Sequence, residues 1–417
     1  MTKFVRYPYA EFVPLLALLM LLGAPPARAE ANDAADFRFQ GFVSQRLTAS
    51  SGNNNFFGET ADRLSADYTE LGLGASWRPR PQWLLAGQAI YRRGGESEDG
   101  RIEPDYYYVA YTPWESEEGH ITAKLGKIKV PYGLYNDMRD TPMTRPGILA
   151  PQSLYLDALR QLNQAAGGVH LEAERIFGDN SATLRFSQIK PNVRSDNTYW
   201  AFLGDRAVYP GELYSRDNEA FSGQLAYDHD GGRLRAWISH AQGLAYYRPA
   251  AGDSWITGDL DFKFTALSLQ WNGENFSLTG ERARNRFLTK LVNTNPALTG
   301  SNLDVGYSWY LQGQWRFAPR WEALLRYDAI FIDQNDKDGA RFAANNPGRA
   351  AWSRYAKDWT VGVRYRLDRQ WLLAGELHHV DGTNWLPPAD NLSNGQWLSP
   401  NTDRKWNLLL LQATYQF

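Results

Sequence analysis

Cysteine is absent from this 417-residue sequence, and long apolar runs are nearly so. Without cysteine there can be no disulfide framework, no thiolate nucleophile and no cysteine metal site. The one notable apolar run, residues 13–23, has about half the length that a membrane-spanning helix needs. Runs of basic residues are also missing, and the 44 basic and 46 acidic side chains of the sequence nearly balance. We therefore expect no nucleic-acid partner.

The N-terminus has the pattern of a secretory signal peptide. Lys3 and Arg6 precede the apolar run, and Ala27-Arg28-Ala29 follows it as a cleavage site of small residues. An uncleaved anchor helix is the alternative, which the shortness of the run disfavours. We expect residues 1–29 to be the signal peptide, 30–36 a short lead and 37–417 the exported domain.

About sixteen short segments alternate apolar and polar residues, which is the period of a strand with two differently solvated faces. In the first segment, Phe37, Phe39 and Val43 alternate with Arg38 and Gln40. The sequence is 14% aromatic and contains 16 Trp, yet its mean hydropathy is −0.51. A transmembrane barrel accounts for both, because lipid meets only every second residue of each strand and the other residues face a wet interior.

Short and long links alternate along these segments. Aromatic residues flank the short links on the apolar face, as Trp77 and Trp83 flank the turn at 78–81, which predicts a girdle at the membrane surface. Seven short links lie near residues 79, 115, 178, 230, 273, 318 and 368, and eight long ones near 57, 97, 148, 205, 250, 294, 344 and 392. The pattern predicts an all-β fold, a 16-stranded antiparallel transmembrane β-barrel; a soluble β-sandwich, the alternative, explains the alternation but not the girdle.

The last segment, residues 404–417, ends in Tyr415-Gln416-Phe417 with alternating apolar residues before it. In this it resembles bacterial outer-membrane proteins, which typically end in a strand with a terminal phenylalanine. The resemblance implies a location in the bacterial outer membrane, with outer-membrane lipid and lipopolysaccharide as neighbours.

One stretch breaks the alternation. After the fifth segment, about 35 residues pass before the pattern resumes, and they include Pro131, Pro142, Pro146 and Pro151. Links of this length inside a compact protein are usually functional or disordered, and the prolines and large apolar residues favour order. We expect residues 131–165, the third long link, to fold inward as the constriction of the barrel, with a short helical turn from Ser153 to Leu162.

The placement of this link resembles that in general diffusion porins of Gram-negative bacteria. The run 126–134, GKIKVPYGL, together with Arg139-Asp140 and Thr144-Arg145-Pro146, resembles the phosphate-selective porin-like superfamily. The arginine ladder and lysine cluster of its strongly phosphate-selective members do not stand out here. The resemblance implies passive diffusion of small hydrophilic solutes and ions, and a homotrimer.

Charged residues on the link and on the inward strand faces are the candidate site. On the link these are Asp137, Arg139, Asp140 and Arg145, and each of them could instead form a salt bridge that holds the link to the wall. Strand parity adds the pore-lining candidates Arg38, Arg46, Glu70, Arg92, Lys124, Glu172, Arg185, Glu322, Arg326, Arg364 and Glu376. Because bases slightly outnumber acids, we expect a weak preference for anionic solutes.

Two other functions remain open. A hydrolase would need a nucleophile, a base and an orienting acid; His378 and Glu376 share a face, but no serine lies in a GxSxG pattern. We therefore expect no catalytic residues, no enzyme activity and no cofactor. Nor do we expect a metal site, because His378 and His379 are adjacent in a strand and point to opposite faces. A non-conducting structural or adhesive barrel is the second alternative.

Overall fold

The computed structural model describes residues 36–392 and 401–417, so the predicted signal peptide and all but the last residue of the lead lie outside the described residues. Eighteen strands, β1 to β18, form one antiparallel sheet. Their bounds are β1 Asp36–Ser50, β2 Leu64–Ser65, β3 Thr69–Arg80, β4 Trp83–Gly94, β5 Glu98–Ser116, β6 Gly119–Lys129, β7 Ala165–Phe177, β8 Asn180–Lys190, β9 Glu212–Tyr214, β10 Ala220–His229, β11 Leu234–Arg248, β12 Trp255–Asn272, β13 Phe276–Asn293, β14 Gly300–Ala318, β15 Trp321–Phe331, β16 Tyr355–Arg366, β17 Trp371–Gly382 and β18 Lys405–Gln416.

Among the described residues, helices are few and lie in the links between strands. The α-helices are α1 Arg160–Asn163, α2 Asp196–Phe202 and α3 Ala340–Asn345, and the 3₁₀ helices are Asp157–Leu159, Pro296–Leu298, Ala351–Arg354 and Ala389–Asn391. The helical turn predicted from Ser153 to Leu162 starts later than expected, at Asp157. None of the helices in the described ranges is long and apolar enough to span a membrane.

The sheet closes on itself. The first strand pairs with the last, with Phe42 opposite Gln416, and on its other edge it pairs with β3. Each later wall strand pairs with its neighbours in the chain, while the short strands β2 and β9 add to the edges of β1 and β11. The described wall is thus a closed antiparallel barrel of sixteen strands, as the sequence predicted. Closure leaves no unpaired edge.

The polarity of the wall is inverted relative to a soluble protein. On β1, Phe37 and Phe39 are about 60% exposed on the outside, whereas Ser44 and Arg46 are buried. Phe42 is the exception in the alternation: it faces inward, where its ring covers Gly72 so closely that a Cβ there would collide with it. An apolar exterior and a polar interior are typical of a barrel that spans a lipid bilayer.

The predicted aromatic girdle is present beside the short turns. Neighbouring strands place Trp321 4.4 Å from Tyr365, and Trp371 5.0 Å from Tyr415, between ring centroids. A second row lies toward the long links, where Tyr327 packs 5.3 Å from Trp309 and 4.8 Å from Trp359. Trp321 and Tyr327 lie six residues apart on β15, or about 20 Å along a strand. The two rows thus border the apolar band of the outer wall.

The prediction of eight long links is only partly right. Residues 95–97, 249–254 and 294–299 are short turns, because the strands beside them run on past the apolar band. β5 and β14 have 19 residues each, and β12 and β13 have 18. Their polar ends alternate weakly, so the sequence could not separate an extended hairpin from a loop.

Candidate functional site

The longest link between wall strands runs from residue 130 to 164, one residue displaced from the predicted 131–165, and joins β6 to β7. We call it the third link. Its two ends are tied together, since Val130 N donates to Gln164 O (3.0 Å) and Asn136 Nδ2 donates to Val130 O (2.8 Å) and Gln164 O (3.2 Å). The third link is therefore a closed loop with a fixed base.

Its first attachment is to strands β10 to β14. Glu281 on β13 accepts bonds from Leu134 N (3.0 Å) and from the Tyr155 hydroxyl (2.6 Å). On β11, Ser239 Oγ accepts from Gly133 N (3.1 Å). Gly133 has φ of +59°, and a Cβ there would collide with the Tyr155 hydroxyl, so this close approach requires glycine. One buried carboxylate thus bonds to two parts of the third link.

The second attachment is to strands β15 and β17. Glu376 accepts from the backbone amides of Ile148 (2.6 Å) and Leu149 (3.2 Å), and Arg326 Nη1 donates to Leu149 O (3.1 Å). His378 lies behind Glu376, with its Nε2 3.3 Å from that carboxylate and its Nδ1 2.8 Å from Asp358. Both ring nitrogens therefore face carboxylates, so His378 supports an attachment point rather than a nucleophile.

The third attachment surrounds Glu70 on β3. Its carboxylate meets three guanidinium groups, from Arg145 (3.0 Å), Arg92 (2.9 Å) and Arg160 (3.3 Å). Arg92 also pairs with Asp140 at 2.7 Å. Two of the four predicted link residues, Asp140 and Arg145, thus form ion pairs with the wall. We call Glu70 with its three arginines the Glu70 cluster.

These attachments join opposite sides of the ring. In the order of the sixteen wall strands, β3 is second, β11 ninth, β13 eleventh and β17 fifteenth. The same segment therefore bonds to strands that are seven positions apart, nearly half the circumference.

The other two predicted residues of the third link, Arg139 and Asp137, differ in their exposure to solvent. Arg139 is 1% exposed; its Nη2 donates to Asn163, while Nε and Nη1 have no partner among the described residues. Burial, together with the positive charge of Arg160, lowers the pKa of Arg139 to about 9. Asp137 is exposed. Of the four, only Asp137 has a side chain that is open to solvent.

Three lining candidates on adjacent strands remain partly exposed: Lys124 on β6, Glu172 on β7 and Arg185 on β8. We call them the open arc. Arg185 Nε pairs with Glu172 at 2.7 Å, and their side chains are 21% and 15% exposed. Lys124 lies 5.7 Å above the ring of Tyr108. No hydrogen bond between described residues joins the third link to any of the three, and their side chains keep partial exposure.

The remaining lining candidates fall into three groups. Arg364 on β16 pairs with Glu322 (3.2 Å) and also donates to Met143 O (3.0 Å) on the third link. Arg46 is buried against the ring of Tyr68, 3.9 Å from its centroid. Arg38 lies at the short-turn end of β1, where it is exposed and pairs with Asp36 at 2.9 Å, and its place in the pore lining stays a prediction.

Several site residues were missed. Glu281 has the inward parity of its strand, so the rule that selected Glu70 and Glu376 would have found it. Arg160 and Asp157 lie three residues apart on the predicted helical turn and pair at 2.6 Å. Burial raises the pKa of Asp157, but Arg160 and Arg139 outweigh it and the net pKa is lowered. Tyr155 carried no signal, because its role depends on the position of Glu281.

In the described parts of the chain, no cluster of three or more His, Asp or Glu side chains could hold a metal ion. The charged groups of the three attachments instead pair with one another or with the backbone. Chemically, the arrangement can hold a segment in place and present a few fixed charges to a solute.

Comparisons with known proteins bear on the fold. The sequence matches no protein-family model and no curated protein. Among solved structures it is similar to the outer-membrane channel DcaP of Acinetobacter baumannii, with 13% identity over 93% of this chain and 99% of that one and a TM-score of 0.54. An anion-selective porin from Comamonas acidovorans has 14% identity over 92% and 100%, with a TM-score of 0.54. OmpT of Vibrio cholerae, in a trimer form, has 10% identity over 92% and 100%, with a TM-score of 0.52. At these identities the likeness establishes the barrel fold.

Proposed function

We propose that this chain is a porin of the bacterial outer membrane that allows small hydrophilic solutes and ions to diffuse passively. The observation that carries the proposal is the open arc: fixed charges that stay partly exposed inside a closed barrel with an apolar exterior. A sixteen-stranded barrel is wide enough for an aqueous channel. The solved structures it is similar to include an outer-membrane channel and an anion-selective porin.

We place the constriction between the third link and the open arc. The third link bonds to strands on both sides of the ring, and we propose that it lies within the lumen and fills the part next to β3 and β13 to β17. Solutes then pass on the side of β6 to β8, between Asp137 and the open arc. In a narrow passage with low-dielectric walls, a few fixed charges control which ions enter.

We infer a modest preference for anions. The passage side has two bases, Lys124 and Arg185, and two acids, Glu172 on the wall and Asp137 on the link, so its formal charges balance. The inference is supported instead by the similarity of the chain to an anion-selective porin. The resemblance of residues 126–134 to the phosphate-selective porin-like superfamily stays a prediction, since no family model matches.

A planar bilayer tests the proposal. Purified protein should insert as discrete conductance steps, and under a KCl gradient the reversal potential should have the sign of anion selectivity. Lys124→Gln should move that potential toward cations, while Arg282→Gln, which removes an exposed charge from the outer face of β13, should leave it unchanged. Absence of steps at any voltage would instead identify a non-conducting barrel.

We also propose a homotrimer surrounded by lipid and lipopolysaccharide. OmpT of V. cholerae, to which the chain is similar, has a trimer form. Chemical cross-linking in detergent, read on a denaturing gel, should give dimer and trimer bands with no higher species. A monomer band alone would contradict the trimer without affecting the proposed conductance.

A further inference from the structure

A groove of about 970 Å³ lies on the outer face of the barrel, along strands β11 to β14. We call it the outer groove. Gly280 on β13 is its floor, and Leu267 and Leu269 on β12 and Leu311 on β14 form its sides. These leucines are 51% to 59% exposed, so they face the lipid. The missing side chain at Gly280 leaves a depression between two apolar rows.

Two positive charges lie at the end of the outer groove that points toward the long links. Arg282 follows Gly280 by two residues on the same face of β13, and Lys337 reaches the same place from the link after β15. The Arg282 guanidinium carbon lies 5.8 Å and Lys337 Nζ 5.4 Å from the centroid of the Tyr307 ring. The three side chains therefore meet, and we call Arg282 and Lys337 the basic pair.

The basic pair has no acidic partner. Among the described residues, neither member forms an ion pair or a hydrogen bond. Asp336 and Asp338, beside Lys337 in the chain, accept hydrogen bonds from backbone amides of their own link. On the outer face of β12, Asp261 pairs with Arg286 at 2.9 Å. An aromatic ring attracts a cation but does not neutralise it, so the basic pair favours an anion from outside the chain.

The position of the basic pair on the wall indicates where that anion comes from. Arg282 is opposite Trp309 in the pairing of β13 with β14, and Trp309 belongs to the aromatic row toward the long links. Aromatic rows lie at the level of lipid head groups, and the long links of outer-membrane barrels face the outside. The basic pair thus lies at the head groups of the outer leaflet, and the outer groove lies at its acyl chains.

The charges, and not the groove, select the lipid. In a bilayer every lipid tail is as apolar as the leucines, so the groove alone prefers no particular lipid. A phosphomonoester carries a charge of about −1.5 to −2 near neutral pH and matches two cations. Arginine also binds phosphate oxygens through its planar fork of donors. A zwitterionic head group gains less, because it brings its own ammonium group.

We propose that the outer groove and the basic pair bind the phosphorylated lipid A part of one lipopolysaccharide molecule. A sugar phosphate meets Arg282 and Lys337, and one acyl chain lies over Gly280. The proposal rests on the proposed function only in placing the barrel in the outer membrane; lipid binding does not require conduction.

Three lipids test this on the purified full-length protein in detergent micelles, with bound lipids counted by native mass spectrometry. They are bisphosphorylated lipid A, the same lipid A after removal of both phosphates, and phosphatidylglycerol, whose single phosphate is a diester. We expect one bisphosphorylated lipid A per chain, bound at least fivefold more tightly than either of the other lipids. Excess inorganic phosphate should not displace it.

Charge variants locate the head group. Arg282→Gln and Lys337→Gln should each weaken the binding of bisphosphorylated lipid A about fivefold and leave the dephosphorylated lipid unaffected. Arg316→Gln is the matched control, because it removes an exposed base from the short-turn end of β14, and it should leave binding unchanged.

Glycine variants locate the acyl chain. A Cβ at Gly280 would make only ordinary contacts, the nearest at 3.5 Å from Tyr310 O, so Gly280→Leu should fold and fill the outer groove. It should weaken both forms of lipid A at least threefold. Gly223→Leu adds the same side chain to the outer face of β10, where the nearest atom is 3.7 Å from the Cβ, and should leave binding unchanged.

Equal binding of the two forms of lipid A, displacement by inorganic phosphate, or binding that survives Arg282→Gln and Gly280→Leu would each overturn the proposal. Loss of the cross-linked trimer in Gly280→Leu would also overturn it, because the outer groove would then be a contact between copies of the chain. A protein that binds lipid A without conducting would overturn only the proposed diffusion. One that conducts without preferring lipid A would overturn only the lipid site.

Discussion

The Glu70 cluster and the open arc contain the same kinds of side chain and differ in what surrounds them. In the Glu70 cluster, the side chains of Glu70, Arg145 and Arg160 are 1–5% exposed and are covered by the third link. In the open arc, Arg185 and Glu172 keep 15–21% exposure and receive no bond from it. Buried pairs hold structure, while hydrated charges can meet a solute. A charge near a constriction therefore does not by itself mean selectivity.

The largest effect, on the stability of the folded protein, is expected when the Glu70 cluster loses its carboxylate. Glu70→Gln leaves the buried Arg145 and Arg160 and the partly buried Arg92 without their shared counter-charge, and losing one partner of a buried network costs about 3–5 kcal/mol. We expect a clear drop in the thermal unfolding midpoint, followed by circular dichroism, and a larger, noisier single-channel conductance as the third link detaches.

Glu172→Gln in the open arc is the matched control for that change. Because its partners are partly hydrated, we expect a loss of stability of less than about 1 kcal/mol. Equal destabilisation by the two substitutions would remove the distinction between the two regions.

The next largest loss of stability is expected when the attachment at Glu281 is weakened. Tyr155→Phe removes the donor to Glu281 and the acceptor for Tyr135 N, and should cost about 1–3 kcal/mol. In single-channel recordings we expect more frequent brief transitions, because the third link has lost one of its attachments. Tyr132→Phe changes a neighbouring tyrosine whose hydroxyl makes no bond to this carboxylate, and it should behave like the native protein.

A smaller effect is expected on ion preference, for which a charge of the open arc can be compared with a charge that is bonded to the third link. Arg185→Gln removes a partly exposed charge and should shift the reversal potential toward cations by several millivolts, with little change in stability. Arg364→Gln removes a charge that is bonded to the third link, and we expect its shift to be smaller. The reverse order would place the passage on the other side of the lumen.

The smallest effect is expected at Arg139, one of the predicted constriction residues that are buried. Since burial lowers the pKa of Arg139 to about 9, the charged form is less favourable in the folded protein than in the unfolded chain, and its charge costs stability. Arg139→Met should leave stability unchanged or raise it by up to about 1 kcal/mol. Selectivity should not change, as measured by the same reversal potential.

Much of the wall could be predicted because the alternation of apolar and polar residues along each strand indicates which side chains face outward and which face inward. Phe37 and Phe39 face lipid and Arg46 faces inward as the parity required, and the turn aromatics formed the girdle. The extended hairpins at 95–97 and 294–299 were missed, since beyond the apolar band both faces are wet and the alternation weakens.

The site was less predictable. Arg145 and Asp140 were selected for their charge, but their partners, Glu70 and Arg92, lie on strands far away in the sequence. Nothing local separates an arginine that will be covered from one that will stay hydrated.

The sequence by itself determined the closed barrel, its orientation of apolar and polar faces and the position of the one long ordered link, because period-2 patterning and turn chemistry act over a few neighbouring residues. Only the tertiary structure decided which charges are bonded and which stay open to water. That division depends on where the third link meets the wall, and the contacts that place it join residues as far apart as Ile148 and Glu376.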